Sequence, residues 1–209
     1  MAAWGGVTAA VTPKGERRRY ALVSAAAELL REGGLDAVRH RAVARRAGLP
    51  LASTTYYFSS LDDLITRAVE HIGMLEVAQL RARVAGLSRR RRSAERTVDV
   101  LVDLLVGDGP ASQLTEQLIC RYERYIACVR LPALRDIQQR TLRQRADAVA
   151  EALERSGRSA QLGLVAALIS AADGAVVSAL VDDRRDPRAA VRATLLGIVD
   201  VLAPPAGDL

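Results

Sequence analysis

The chain has 209 residues, 50% of them apolar and 26% charged, with a formal net charge of +6, which is enough for one full core and a small second domain in an ordinary globular protein. No apolar run reaches the roughly 18 residues needed to span a bilayer, and no basic-then-apolar leader opens the chain, so the expectation is a cytoplasmic protein with no membrane partner. Cys120 and Cys128 on one helix would stand about 12 Å apart, beyond the about 7 Å reach of a disulfide, and are expected as reduced packing residues.

The apolar residues are mainly Ala, Leu and Val, which favours helices. Residues 1–13 are small and aperiodic and read as a disordered arm. A first helix is expected over 17–31, with Leu22, Ala26 and Leu29 forming its inner stripe and Gly33-Gly34 stopping it. A second follows over 39–46, with Val43 and Ala47 inward. Gly48 then turns the chain and Pro50 opens a short third helix over 51–57. That helix carries Ser53-Thr54-Thr55-Tyr56-Tyr57-Phe58, three adjacent aromatics in a chain with one Trp, one Phe and five Tyr. A helix, a glycine turn and a second helix rich in hydroxyls and aromatics is the layout of a helix-turn-helix DNA reader. Residues 14–60 hold nine basic residues against four acidic ones, or +5 of the total +6, which suggests a polyanion partner for that segment.

Ser60 and Asp63 read as the start of a fourth helix over 61–85. Arg89 to Arg92 resemble a nucleic-acid patch in isolation, but their position between helices favours a solvated loop. Further helices are expected over 93–106 and 112–129, the latter with Leu114, Leu118, Tyr122, Tyr125 and Val129 inward, and from Pro132 to about 155. The last two, over 160–181 and 187–203, differ from the rest. The first carries Leu162, Val165, Ile169, Ala172, Val176 and Leu180, with small residues between them; the second carries Val191, Leu195, Ile198 and Leu202. A helix apolar on more than one face is buried on more than one side. The second cover is either another subunit, which these ten residues would contact, or an internal core hairpin. No strand pattern appears, and the expectation is an all-α chain of about nine helices.

These residues resemble the TetR family of bacterial transcriptional regulators. The resemblance rests on Ala25-Ala26, Gly34, Arg41-Ala42-Val43-Ala44, Ala47-Gly48-Leu49-Pro50, the Ser53 to Phe58 run and Asp63-Leu64, and it covers about residues 15–70. It implies an all-helical homodimer with a DNA-binding head at 14–60 (motif 39–58) and a ligand-binding and dimerisation body at 61–209. Three positions depart from the commonest family form. Ala52-Ser53-Thr54-Thr55 replaces Gly-Thr-Leu-Tyr, Leu61 stands where a phosphate-contacting lysine is usual, and Arg39 replaces a Ser or Thr.

With the third helix in the major groove, Leu51, Ala52, Ser53, Thr54 and Thr55 are the base-facing candidates. None is a bidentate Arg or Asn reader, so DNA shape is expected to carry part of the specificity. The resemblance makes Tyr57 a phosphate contact, leaves Tyr56 between groove and backbone, and gives Phe58 a packing role. Arg39, Arg41, Lys14, Arg17, Arg18 and Arg19 are either backbone contacts or solvated charges. In the body, Tyr122 and Tyr125, with Met74, Gln117, Glu123 and Cys128 behind them, are either pocket-lining residues or core and surface. The implied function is a regulator, a repressor in the family's usual sense. It would bind a palindromic DNA operator as a dimer and be released by a small-molecule effector, with no cofactor and no metal. Two alternatives remain: a helical protein-interaction adaptor, and an all-helical enzyme. Against the enzyme, His40 and His71 lack metal-ligand spacing and no phosphate-binding glycine loop occurs.

Overall fold

A computed structural model describes residues 13–182 and 184–207; the expected arm, apart from Pro13, lies outside the described residues. Among the described residues there are nine helices: α1 (Pro13–Ala37), α2 (His40–Arg46), α3 (Leu51–Tyr57), α4 (Leu61–Ala85), α5 (Ala94–Leu105), α6 (Ala111–Arg130), α7 (Pro132–Arg155), α8 (Leu162–Val181) and α9 (Pro187–Leu202). The chain divides into two units, Met1–Ala68 and Val69–Leu209, and α4 begins in the first and ends in the second.

In the first unit, α1 buries Leu22, Ala25, Ala26 and Leu30. Its regular conformation breaks at Gly33 and at Gly34, whose φ is +65°, a value that a side chain disfavours. Val38 and Val43 are fully buried, and α2 ends in a Schellman turn. The N–H of Leu49 reaches the carbonyl of Ala44 at 2.9 Å, and that of Gly48 reaches Arg45 at 3.2 Å. Gly48 takes φ +64° to close it. Pro50 then precedes the first turn of α3, where its missing N–H costs nothing. Ser60 caps α4 by accepting from the Asp63 N–H at 3.0 Å, while the Asp63 carboxylate accepts from the Ser59 N–H at 3.2 Å.

The second unit has one main core. It draws Val98 and Leu101 from α5, Leu114 and Leu118 from α6, Val149 and Leu153 from α7, Val165, Leu168 and Ile169 from α8, and Val191 and Leu195 from α9. A smaller cluster joins Val84 of α4 to Ala148 and Ala152 of α7. Cys120 and Cys128 are both buried and unbridged. One expectation about α6 changes: Val129 is 73% exposed. Cys120, Arg124, Ala127 and Cys128 are buried instead, so the inner face turns away from Val129.

The block at 89–92 lies between α4 and α5 with Arg89, Arg90 and Arg91 exposed, as expected of a solvated loop, but its backbone is tied down and Arg92 is half-buried. The N–H groups of Arg90 and Arg92 donate to the carbonyls of Arg155 and Ser156 at 3.0 and 3.1 Å. The Arg92 guanidinium adds bonds to the Arg155 and Ser88 carbonyls at 3.1 and 3.0 Å, and burial lowers its pKa. These donors satisfy carbonyls that the end of α7 leaves open. The expectation about membrane spans also changes: α8 is long and apolar enough to cross a membrane by length and composition. It carries Asp173, which is ion-paired at 2.9 Å within this unit, and one of its faces lies in the core.

Gly157 closes α7 by a second Schellman turn. Arg158 N–H reaches Leu153 O at 3.0 Å, and Gly157 takes φ +74°. A Cβ there would also lie 3.1 Å from Arg91 Cα, whereas one at Gly48 would meet nothing within 4 Å. Gly48→Ala should therefore cost about 1–2 kcal/mol, the penalty of the left-handed conformation alone. Gly157→Ala should cost more than that, because the Arg91 backbone must also yield. Denaturant unfolding of each variant against the parent chain checks the order.

Candidate nucleic-acid interface and effector cavity

The head is built by clamping α2 onto α1. Arg46 donates to both Glu32 carboxylate oxygens, at 2.8 and 2.6 Å, and to Glu28 at 3.3 Å. The Arg46 hydrogen bond holds the Glu32 carboxyl below its ordinary pKa, and the two glutamates raise that of Arg46. Arg46 is thus committed within the fold. Arg39, extended at the N-cap of α2, donates to the Val38 carbonyl at 3.1 Å and to Asp36 at 3.2 Å. Arg41 and Arg45 lie exposed one turn apart on α2, with no carboxylate partner among the described residues. On α1, Lys14, Arg17, Arg18 and Arg19 are exposed. Arg17 bonds the Pro13 carbonyl at 3.3 Å, and Arg19 lies 5.8 Å from the centre of the Phe58 ring.

α3 sorts its residues by face. Leu51, Ala52, Thr55 and Tyr56 are exposed at positions i, i+1, i+4 and i+5, one side of a helix. Ser53 and Tyr57 are half-buried, and Phe58 is buried as expected of a packing residue. Thr54 corrects the expectation of a base reader. It is 0% exposed and its hydroxyl donates back to the Leu51 carbonyl at 2.8 Å, so it fills the head's own core. Tyr56 is 80% exposed, with its ring edge-on to Tyr57 at 4.9 Å. The outward face thus offers one Thr hydroxyl, one Tyr hydroxyl and the apolar surface of Leu51 and Ala52.

The second unit holds a cavity of about 60 Å³ between α4, α5, α6 and α7. It is lined by Glu76, Val77 and Leu80, by Leu104 and Leu105, by Arg121 and Tyr125, and by Thr141 and Arg145. Behind it, Arg145 makes two bonds to Asp173 at 3.0 and 2.9 Å, and the Tyr122 hydroxyl donates to Asp173 at 3.0 Å. Burial raises the Tyr122 pKa, and the Asp173 charge adds to the rise. For Arg145, burial disfavours the charge, but Tyr125 and Asp173 outweigh it and the pKa lies above the ordinary value. Arg124, buried, pairs with Glu76 at 2.7 Å.

Of the residues expected at a pocket, Tyr125 lines the cavity and Tyr122 packs edge-on to it at 5.6 Å. Met74, Gln117 and Glu123 are exposed instead, because they fall on the outer faces of α4 and α6. Cys128 is buried against the Arg124 carbonyl at 3.1 Å, and burial raises its thiol pKa. The sequence reading missed Glu76, Arg121, Thr141, Arg145 and Asp173. Two signals marked them: a polar stripe Gln138, Thr141, Arg145 at inner spacing on α7, and Asp173 as the one acid inside an apolar helix.

The expected subunit contact is also re-sorted. Val165, Ile169, Ala172, Val176, Val191 and Leu195 are buried in the chain's own core. Leu180, Ile198 and Leu202 pack at its margin, and only Leu162 of the ten is exposed. The exposed residues of α8 are Leu162, Gly163, Ala166, Ala167, Ser170, Gly174, Val177, Ser178 and Val181, and Val181 is 85% exposed.

Comparison with known proteins accounts for both units. A family profile described as bacterial regulatory proteins, tetR family, matches residues 22–68. A second, a tetracyclin repressor-like C-terminal domain, matches residues 92–201, more than half of the chain. No curated protein matches significantly. Among solved structures, SCO7518 of Streptomyces coelicolor A3(2) gives a TM-score of 0.66 at 24% identity, over 89% of this chain and 98% of that one. The multidrug binding protein EbrR, complexed with imidazole, gives 0.63 at 29% identity over 91% and 97%; further EbrR structures hold proflavin, ethidium and malachite green. A protein from Saccharomonospora viridis in complex with choline gives 0.70 at 19% identity over 90% and 98%. With the helix-turn-helix head matched by one profile and the helical body by the other, the chain belongs to the TetR family of transcriptional regulators.

Proposed function

We propose that the protein is a ligand-released repressor that works in the cytoplasm as a homodimer, with residues 14–60 binding a palindromic operator and residues 61–209 binding an effector and the second subunit. The observation that carries the DNA reading is the outward face of α3, Leu51, Ala52, Thr55 and Tyr56, free of any packing duty while Thr54 and Phe58 hold the helix in place. With no Arg, Asn or Gln on that face, base readout rests on hydroxyls and thymine-methyl contacts. Arg41 and Arg45 supply charge for phosphates. The complexes of EbrR and of the Saccharomonospora viridis protein support the reading of the body as a small-molecule site.

Dimerisation is supported by the exposed half of α8. Its small residues leave open space, with nothing within 4 Å of a Cβ built at Gly163 or Gly174. A second helix can approach such a surface closely, and an apolar face of this size in a regulator's body calls for a cover.

If this reading holds, operator affinity falls steeply with salt. Arg41→Ala weakens binding to every sequence and lowers the salt slope by about one unit per head. Arg46→Ala leaves the salt slope unchanged, because Arg46 is spent on Glu28 and Glu32. Fluorescence anisotropy on operator and random duplexes across a salt series reads both; equal affinity for the two duplexes would sink the operator reading.

The subunit contact is tested separately. Val177→Asp or Ala167→Asp on the open face of α8 should shift the mass by light scattering from twice 22.4 kDa to 22.4 kDa. A parent chain that already runs as a monomer would refute the dimer.

A further inference from the structure

The ionisable groups around the cavity do not balance. Glu76 is neutralised by Arg124 at 2.7 Å and Arg145 by Asp173 at 2.9 Å. Arg121 remains. Its one hydrogen bond among the described residues runs from Nη1 to the Leu105 carbonyl at 2.8 Å, and no carboxylate pairs with it. A guanidinium has five N–H donors in a planar fork, so most of its donor capacity is unspent at the cavity wall. Three guanidiniums, on Arg121, Arg124 and Arg145, face two carboxylates, on Glu76 and Asp173, leaving one positive charge.

A second observation has the same sign. Gln138 lies on the α7 stripe that continues through Thr141 and Arg145, and its Nε2 is buried with no acceptor. The Thr141 hydroxyl proton is already given to the Ile137 carbonyl at 3.1 Å. Gln138 does not itself line the cavity; it shows that the α7 stripe beside it is short of acceptors, and a buried donor without one is costly.

We propose that the effector is a carboxylic acid, its carboxylate seated on the Arg121 guanidinium and its aliphatic part lying against Val77, Leu80 and Leu104. A monoanion cancels the single excess charge, whereas a cation adds to it and a phosphate dianion overshoots it. Guanidinium and carboxylate also match as a two-point hydrogen-bonded pair. At about 60 Å³, well below the roughly 150 Å³ of an apolar cavity that takes benzene, the space admits only part of such a ligand as it stands, and its walls must part to take the rest. This inference rests on the reading of the cavity as the effector site.

The test is a matched series of hexanoate, hexanamide and hexylammonium, titrated calorimetrically into the full-length protein and its Arg121→Gln and Arg121→Lys variants. Hexanoate should bind, and the other two should bind at least about ten-fold more weakly, the scale of one charge-assisted contact. Arg121→Gln should weaken hexanoate by a similar factor. Arg121→Lys should retain part of the affinity, which separates lost charge from lost packing at the Leu105 carbonyl. The inference is overturned if hexylammonium or hexanamide binds as tightly as hexanoate, if none of the three binds, or if Arg121→Gln leaves hexanoate binding unchanged. Operator binding by the parent protein is measured alongside. An acid-binding protein with no operator preference keeps this inference and loses the regulator, while operator binding without acid binding does the reverse.

Discussion

The body of this protein depends on one buried ion pair. Arg145 is almost wholly buried, and its charge is tolerable only because Asp173 meets it with two bonds and Tyr122 donates to the same carboxylate. Removing either charge from such a pair leaves the other buried and unpaired, a penalty of about 3–5 kcal/mol. The consequence is geometric. α6, α7 and α8 each contribute one member, so the three helices have only one mutual setting in which all the bonds close. For α8 this matters most. Small and apolar residues stand on most sides of it, and hydrophobic burial alone would leave its rotation poorly defined. Asp173 turns Ile169, Ala172 and Val176 inward and leaves Gly174, Val177 and Val181 outside.

The opposite end of the same unit follows the same logic with backbone acceptors. Arg158 is buried, donating to Asp200 and to the Ala203 carbonyl at 2.8 Å and to Thr97 Oγ1 at 3.1 Å. Arg92 serves the last carbonyl of α7. Helix C-termini present carbonyls and partial negative charge, so a guanidinium with its fan of donors closes each end without a separate cap. These arginines belong to the same +6 excess that suggested a polyanion partner, yet none of Arg92, Arg145 and Arg158 is available to one. Counted by segment rather than over the whole chain, net charge singles out residues 14–60, which overlap the tetR-family profile at 22–68.

What could be read from the sequence was what local chemistry decides. The bounds of α3 and α4 follow from Gly48, Pro50, Ser60 and Asp63, each acting through its own backbone or a neighbour's. What could not be read was azimuth. Thr54 and Thr55 are alike, and both hydroxyls donate back to the helix, to the Leu51 and Ala52 carbonyls, yet the first is turned into the core while the second stays at the surface. The stripe on α8 was periodic, but periodicity does not say whether the cover is this chain or another. The cavity escaped for a different reason. Its wall is assembled from four helices, and no short window of sequence contains more than the three members that α4 supplies, Glu76, Val77 and Leu80.

The cavity also bears on how occupancy could be felt elsewhere. Gly73 of α4 lies so close to α7 that a Cβ there would stand 2.7 Å from Thr141 Oγ1. α4 is therefore seated at near-contact distance one turn from Glu76 and Val77, which line the cavity. At about 60 Å³ the space takes little without adjustment, and well-packed helices respond by shifting as bodies rather than by yielding locally. α7 is pinned by Arg145 to α8 and by the 90–92 segment at its end; α4 meets the cavity through the Gly73 contact and the Glu76–Arg124 pair, and beyond it through Val84 and the Arg83 bonds to Asp103 and Asp108. It is also the helix whose first turn is capped by Ser60 within the DNA-binding unit. On the proposed reading, the effector acts through a differential affinity for two placements of α4 against α7.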